Sequence, residues 1–165
     1  MIESCRYIKE RRNYNLEIRV LAIINPTSGR GNITGYVEQI KKYLEKQNMT
    51  VKVKFTKKEY NARKIVINNI EETDLILVCG GDGTFNETVS ALMELETKDI
   101  SIAYIPMGTT NDLAQSLKIP IKDISVTKNL LKSKAKVLDV GKFNNTYFWY
   151  VAAFGIITDV AYKTS

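Results

Sequence analysis

The 165-residue sequence contains no histidine. That excludes Ser-His-Asp and Cys-His catalysis and any histidine-ligated zinc within it, so acid-base or metal chemistry falls to carboxylates. Cysteine is scarce. Cys5 and Cys79 are the only two, too few for a disulfide framework and too far apart for a CxxC metal pair, as expected of a chain in a reducing cytoplasm. Cys79 closes an apolar run and reads as a buried, inert thiol. Long apolar runs are also missing. The longest stretch free of polar side chains other than tyrosine or tryptophan is Tyr147–Ile157, too short to cross a bilayer. The opening MIESCRYIKERRNYN is charged and has no secretory-signal character. Neither G-x-x-x-x-G-K-[ST] nor G-x-G-x-x-G occurs, which disfavours a P-loop NTPase and a standard dinucleotide fold.

Hydrophobic residues make up 44% and charged residues 25%, enough apolar material for a packed core and too little net polarity for disorder. The net charge of +6 is uneven. Lys118, Lys122, Lys128, Lys132, Lys134, Lys136 and Lys142 crowd one stretch against only Asp123 and Asp139. This stretch reads either as a solvated helix face or as a contact for anionic headgroups or phosphorylated ligands. Nucleic acid is not an expected partner, because the aromatics fall mostly on core stripes rather than on a basic face.

Short apolar runs alternate with helical periodicity, the signature of parallel βαβ units rather than of an α+β arrangement. Ile18–Ile24 predicts a buried strand, and Ile33, Tyr36, Val37, Ile40, Tyr43 and Leu44 fall on one stripe of a helix. Val51–Phe55 predicts a second strand, and Ala62, Ile65, Val66 and Ile70 mark a second helix. Leu75–Cys79 is wholly apolar, as a central parallel strand should be. A third helix carries Phe85, Thr88, Val89, Leu92 and Leu95 inward. Ser101–Ile105 predicts a fourth strand, followed by a short helix around Leu113–Leu117 and, after Pro120, a helix over Lys122–Leu131. Lys136–Phe143, the Asn144-Asn145 turn and Tyr147–Ala153 read as an antiparallel hairpin, whose exposed edge leaves room for pairing in a homodimer.

Three loops leave the carboxyl ends of strands, where open parallel sheets hold their ligands. In Gly80-Gly81-Asp82-Gly83-Thr84, glycines let backbone N–H groups ring a phosphate at a helix amino end. A carboxylate inside an anion-binding loop needs a cation beside it, so Asp82 reads as a magnesium ligand, direct or through water. Thr84-Phe85-Asn86-Glu87 also fits a capping box, which would account for Thr84 and Glu87 alone. The loop Asn25-Pro26-Thr27-Ser28-Gly29-Arg30-Gly31 offers an amide, hydroxyls and a guanidinium. Pro106-Met107-Gly108-Thr109-Thr110-Asn111-Asp112 repeats the pattern, again with capping-box spacing from Thr109 to Asp112.

Taken in order, NPTSGRG, GGDGTFNE and PMGTTNDLA resemble the diacylglycerol kinase catalytic domain family, in a superfamily shared with sphingosine kinases and NAD kinases. The resemblance runs from about Ile18 to the end of the chain. It implies a three-layer α/β/α Rossmann-like parallel sheet and ATP-dependent phosphorylation of a lipid hydroxyl, such as that of diacylglycerol, to a phosphatidate. Other acceptors (a sphingoid base, a glycolipid, NAD) and a non-catalytic nucleotide-binding module stand as alternatives.

Carried over residue by residue, the resemblance places Asn25, Pro26, Thr27, Ser28, Gly29 and Arg30, then Thr56, then Gly80 to Asn86, and then Gly108, Thr109, Thr110 and Asn111 around ATP. It gives Asp82, Asp112 and Asp139 to magnesium. A basic arm over 1–16 precedes the resemblance, which implies an ATP-binding α/β domain over 17–135 and a hairpin over 136–165 that begins a second, mostly β domain. The catalytic base is then expected outside the present sequence, and the fragment alone is expected to be inactive. The protein is expected to be cytoplasmic and to visit membranes peripherally.

Overall fold

The computed structural model describes residues 17–28, 33–95, 100–120 and 136–149. Strand β1 (Ile18–Ile24) buries every residue except Arg19 almost completely. Helix α1 (Ile33–Glu45) sets Val37, Ile40 and Leu44 inward, with Glu38, Gln39 and Lys42 in solvent. Strand β2 (Met49–Phe55) begins two residues before the predicted start, because Asn48 takes a left-handed conformation (φ 60°) and turns the chain directly into the sheet. Helix α2 (Ala62–Ile67) is capped by Asn61, whose side chain accepts the Lys64 N–H. Ile70 lies beyond that helix, in a single 3-10 turn (Ile70–Glu72). Strand β3 (Leu75–Gly80), helix α3 (Asp82–Leu95), strand β4 (Ser101–Pro106) and helix α4 (Asp112–Leu117) complete the alternation.

The four strands are all parallel in the order β2-β1-β3-β4. Alternation along each strand feeds two cores. Ile18, Val20, Ala22 and Ile24 of β1, with Leu77, Cys79, Ala103 and Ile105, pack under α1. Leu21 and Ile23, with Ile76, Val78 and Tyr104, pack under α2 and α3. The result is the three-layer α/β/α sheet that the alternating pattern predicts. Burial on both faces is why β1 and β3 read as continuous apolar runs.

A second, two-stranded antiparallel sheet is formed by β5 (Gly141–Phe143) and β6 (Thr146–Phe148), turning at Asn144 in the left-handed region (φ 51°). Its first strand is shorter than predicted, and residues 150–153 of the predicted second strand lie outside the described residues. Residues 136–140 form no strand, and Val140 instead packs against the core under α3. The hairpin rests on α3 through Ser90, whose hydroxyl donates to the Tyr147 carbonyl, and through Trp149, edge-on to Phe85 at 5.6 Å. The predicted helix over Lys122–Leu131, most of the basic stretch, the arm 1–16, Gly29 and Arg30 lie outside the described residues. Among the described residues no helix is long and apolar enough to cross a membrane.

Candidate functional site

Strands β1 and β3 are neighbours, yet the chain leaves β1 toward β2 on one side and β3 toward β4 on the other. Their carboxyl ends therefore flank the topological switch point, the crevice where open sheets hold ligands. Asn25 and Gly80-Gly81 stand there, with Gly108 beside them.

Asn25 ties the first loop to the second. Its N–H donates to the Cys79 carbonyl at 2.9 Å. Its Oδ1 accepts the Thr27 N–H and hydroxyl, and its Nδ2 donates to Thr84 Oγ1 at 3.2 Å. Pro26 and Ser28 complete the turn, closed by the Ser28 N–H on the Asn25 carbonyl. Thr56 enters from β2, its N–H donating to the Ile24 carbonyl.

The second and third loops meet backbone to backbone. The Met107 N–H donates to the Gly80 carbonyl at 2.8 Å. A Cβ on Gly108 would sit 2.6 Å from the Gly81 Cα, and one on Gly81 would sit 3.2 Å from the Gly108 Cα. A Cβ on Gly80 would press on Thr84 at 2.8 Å. None of these glycines has a positive φ, so close approach rather than turn conformation requires them. Gly83 differs. It is exposed in the first turn of α3, and a Cβ there would meet nothing within 4 Å.

Both predicted capping boxes are absent. Helix α3 begins at Asp82, so Thr84 lies inside it, buried, and Glu87 reaches across to accept the Ala62 N–H that opens α2. Helix α4 begins at Asp112 after Asn111, which is left-handed (φ 52°) and makes no side-chain cap. The cap comes from Asp82, whose two oxygens accept the Asp112 and Leu113 N–H groups at 3.0 and 3.3 Å. This link spans about thirty residues of sequence and has no local signal.

Asn111 is buried, and its amide closes on Gly108, accepting the N–H at 2.8 Å and donating to the carbonyl at 2.7 Å. The Tyr104 hydroxyl also donates to Asn111 Oδ1 at 3.5 Å, and burial, with the Asp82 charge second, raises its pKa. Phe85 is a core residue, tilted against Tyr104 at 5.0 Å. Thr109 and Thr110 are exposed on the rim, Asn86 is half-buried, and Asp139 is exposed in the segment before β5. Among the described residues no three acidic or cysteine side chains gather as a metal cluster. Burial pushes the Cys79 thiol up to about 12, so it stays neutral and unreactive.

An open parallel sheet with two glycine loops meeting at its switch point defines an α/β protein with a ligand crevice at its carboxyl edge. The family model described as the diacylglycerol kinase catalytic domain matches residues 19–143, and the chain belongs to that family. It is 33% identical over 148 residues to a diacylglycerol kinase of Staphylococcus carnosus, covering 89% of this chain and 48% of that protein. Against a diacylglycerol kinase of Bacillus subtilis it is 34% identical over 146 residues, covering 87% and 48%. The crystal structure of a diacylglycerol kinase from Bacillus anthracis superposes with a TM-score of 0.68 at 31% identity, covering 79% of this chain and 45% of that one. The chain thus spans about half the length of the curated relatives it matches.

Proposed function

We propose that this chain is the nucleotide-binding half of an ATP- and magnesium-dependent lipid kinase that phosphorylates a lipid hydroxyl, diacylglycerol being the first candidate. The observation that carries the nucleotide site is Gly83. Packing accounts for Gly80, Gly81 and Gly108, whereas Gly83 stands at an open face of the first helical turn where alanine would be the better helix former. A glycine at that place leaves space for a phosphate against the first-turn amides, which have no acceptor within the helix.

Phosphoryl transfer depends on positioning and charge neutralisation more than on covalent chemistry from the protein. Asn25 ties the first loop to Thr84, and Asp82 ties the second to the third, the kind of mutual positioning that phosphoryl transfer requires. Magnesium is commonly held by one or two carboxylates, with phosphates and water supplying the rest. The donor set fits that mode. Each Asp82 oxygen accepts a single N–H and keeps a further lone pair, and Asp112 follows at the adjoining helix start. Asp82 and Asp112 would hold the ion, with Asp139 the third expected position, and the ion would neutralise phosphate charge.

The acceptor hydroxyl and its base belong, in this reading, to sequence beyond this half. The protein would work in the cytoplasm at a membrane surface. ATP titration in magnesium and then in EDTA tests the nucleotide half. Tighter binding with magnesium is expected, and equal affinity would remove the metal role. A kinase assay of the chain fused to the unmatched part of the Bacillus subtilis relative, against diacylglycerol, a sphingoid base, a glycolipid and NAD, tests the acceptor. ATP binding with no turnover on any of them would favour a non-catalytic nucleotide module.

A further inference from the structure

At one corner of the molecule, lysines have no carboxylate partner among the described residues. Strand β2 ends at Phe55, whose ring is 39% exposed and belongs to neither core. After Thr56 comes a tight turn closed by reciprocal hydrogen bonds, Lys57 N–H to the Tyr60 carbonyl at 3.0 Å and Tyr60 N–H to the Lys57 carbonyl at 3.1 Å. The turn is anchored beneath. Tyr60 packs against the core under α2 and α3, and the Lys64 ammonium donates to the Glu59 carbonyl at 2.8 Å.

Neighbouring cations have acids of their own. Lys52 pairs with Glu72 at 3.0 Å, Arg63 is bidentate to Glu94, and Arg19 grips Asp74. Among the described residues no carboxylate pairs with Lys54, Lys57 or Lys58. Glu59 is the single acid between Phe55 and Lys64. The supported turn thus exposes Lys57 and Lys58 a few residues from the exposed ring of Phe55, neither paired with a described carboxylate.

We propose that this corner, Phe55 with Lys57 and Lys58, docks on the surface of a bilayer that carries anionic lipid. The ammonium groups meet lipid phosphates, and the ring enters the headgroup boundary. A soluble phosphate would engage the lysines but leave the exposed ring without a role. The location fits the occupant. Phe55 lies in register beside Ile24, and Thr56 hydrogen-bonds to Ile24, so the corner and the Asn25 loop share the carboxyl end of the sheet. A chain seated by this corner has its ligand crevice at the lipid-facing end. The inference rests on the lipid-kinase reading for its purpose, not for its test.

The test is co-sedimentation of the whole chain with vesicles of phosphatidylglycerol and phosphatidylcholine, and of phosphatidylcholine alone, at low and high salt, without ATP or diacylglycerol. Binding only to the anionic vesicles, released by salt, is expected. Lys57→Glu with Lys58→Glu should weaken it at least about tenfold. The neutral pair Lys57→Gln with Lys58→Gln should weaken it less, and Phe55→Ser should also weaken it. The unfolding midpoint and ATP affinity of the lysine variants should match the parent. Binding by the charge-reversed variant equal to the parent's, or binding indifferent to salt and to anionic lipid, would overturn the proposal. So would lost ATP affinity in that variant, which would make the corner a nucleotide subsite. ATP–magnesium binding by the chain without vesicle binding would remove the docking role alone. Vesicle binding without ATP–magnesium binding would uphold docking and remove the kinase reading.

Discussion

The two ends of the parallel sheet are held by different means. At the amino end a charged clamp does it. Asp74, its side chain 3% exposed, accepts the Arg19 backbone N–H at 2.9 Å and two guanidinium N–H groups at 3.0 and 2.8 Å, while its own N–H returns to the Arg19 carbonyl. At the carboxyl end no ion pair among the described residues closes the loops. Glycine backbones touch, Asn25 bridges to Thr84, and Asp82 caps a helix of the next loop. Every described polar group in the clamp serves the fold. At the carboxyl end the fold accounts for every described site glycine except Gly83. That difference separates framework from site.

The largest expected effect breaks the contact between loops. Gly108→Ala would set a Cβ against the Gly81 backbone at 2.6 Å and Asn111 Oδ1 at 2.9 Å, neither of which is a flexible side-chain end. Urea unfolding should show a loss of about 3 kcal/mol or more, and Gly81→Ala, with its 3.2 Å approach, about 1 kcal/mol. Equal, negligible losses would mean that the loops slide apart freely and that the site is not preset.

Next comes the contrast of the two aspartates. Asp74→Ala removes a nearly buried partner of a half-exposed arginine and should cost about 2 kcal/mol, with unchanged ATP affinity. Asp82→Ala frees two helix amides that water can reach and should cost about 1 kcal/mol, with a marked loss of ATP–magnesium affinity. If both variants lost stability alone, the two ends would be framework alike.

The carboxyl end also carries a pH signature through Cys79. Its folded pKa, about 12, lies above the ordinary thiol value, so the unfolded chain releases the proton first. Stability is therefore full below the unfolded pKa, near 8.5 to 9, and declines as pH rises toward the folded value. Between pH 8 and pH 10 the Cys79 share of that decline should be about 1.5 kcal/mol, read as the excess slope of the parent over Cys79→Ala in urea unfolding. Equal slopes would show that the thiol reaches water in the native state.

The smallest expected effect has the opposite sign. Gly83→Ala has room for its methyl and gains helix propensity, so the fold should be stabilised by about 0.5–1 kcal/mol while ATP binding weakens. Stabilisation with unchanged ATP affinity would deprive Gly83 of its role and return the whole carboxyl end to framework.

The sequence by itself determined the alternation of elements and the faces they bury. A two-sided parallel strand must be apolar throughout, as Leu75–Cys79 is, and a surface helix must carry a stripe, as Ile33 to Leu44 does. It also marked the loops at the carboxyl ends, because glycine clusters between a strand and a helix have few other uses. Only the tertiary structure decided how those loops divide their labour. Local spacing offered capping boxes at Thr84 and Thr109, but the caps come from Glu87 to α2 and from Asp82 to α4, across the fold. It likewise decided which glycines pack and which one faces open space, a matter of what lies opposite each Cα. Local propensity acts between neighbours in the chain; a hydrogen bond from the N–H of residue 112 to the carboxylate of residue 82 exists only once two strands lie side by side.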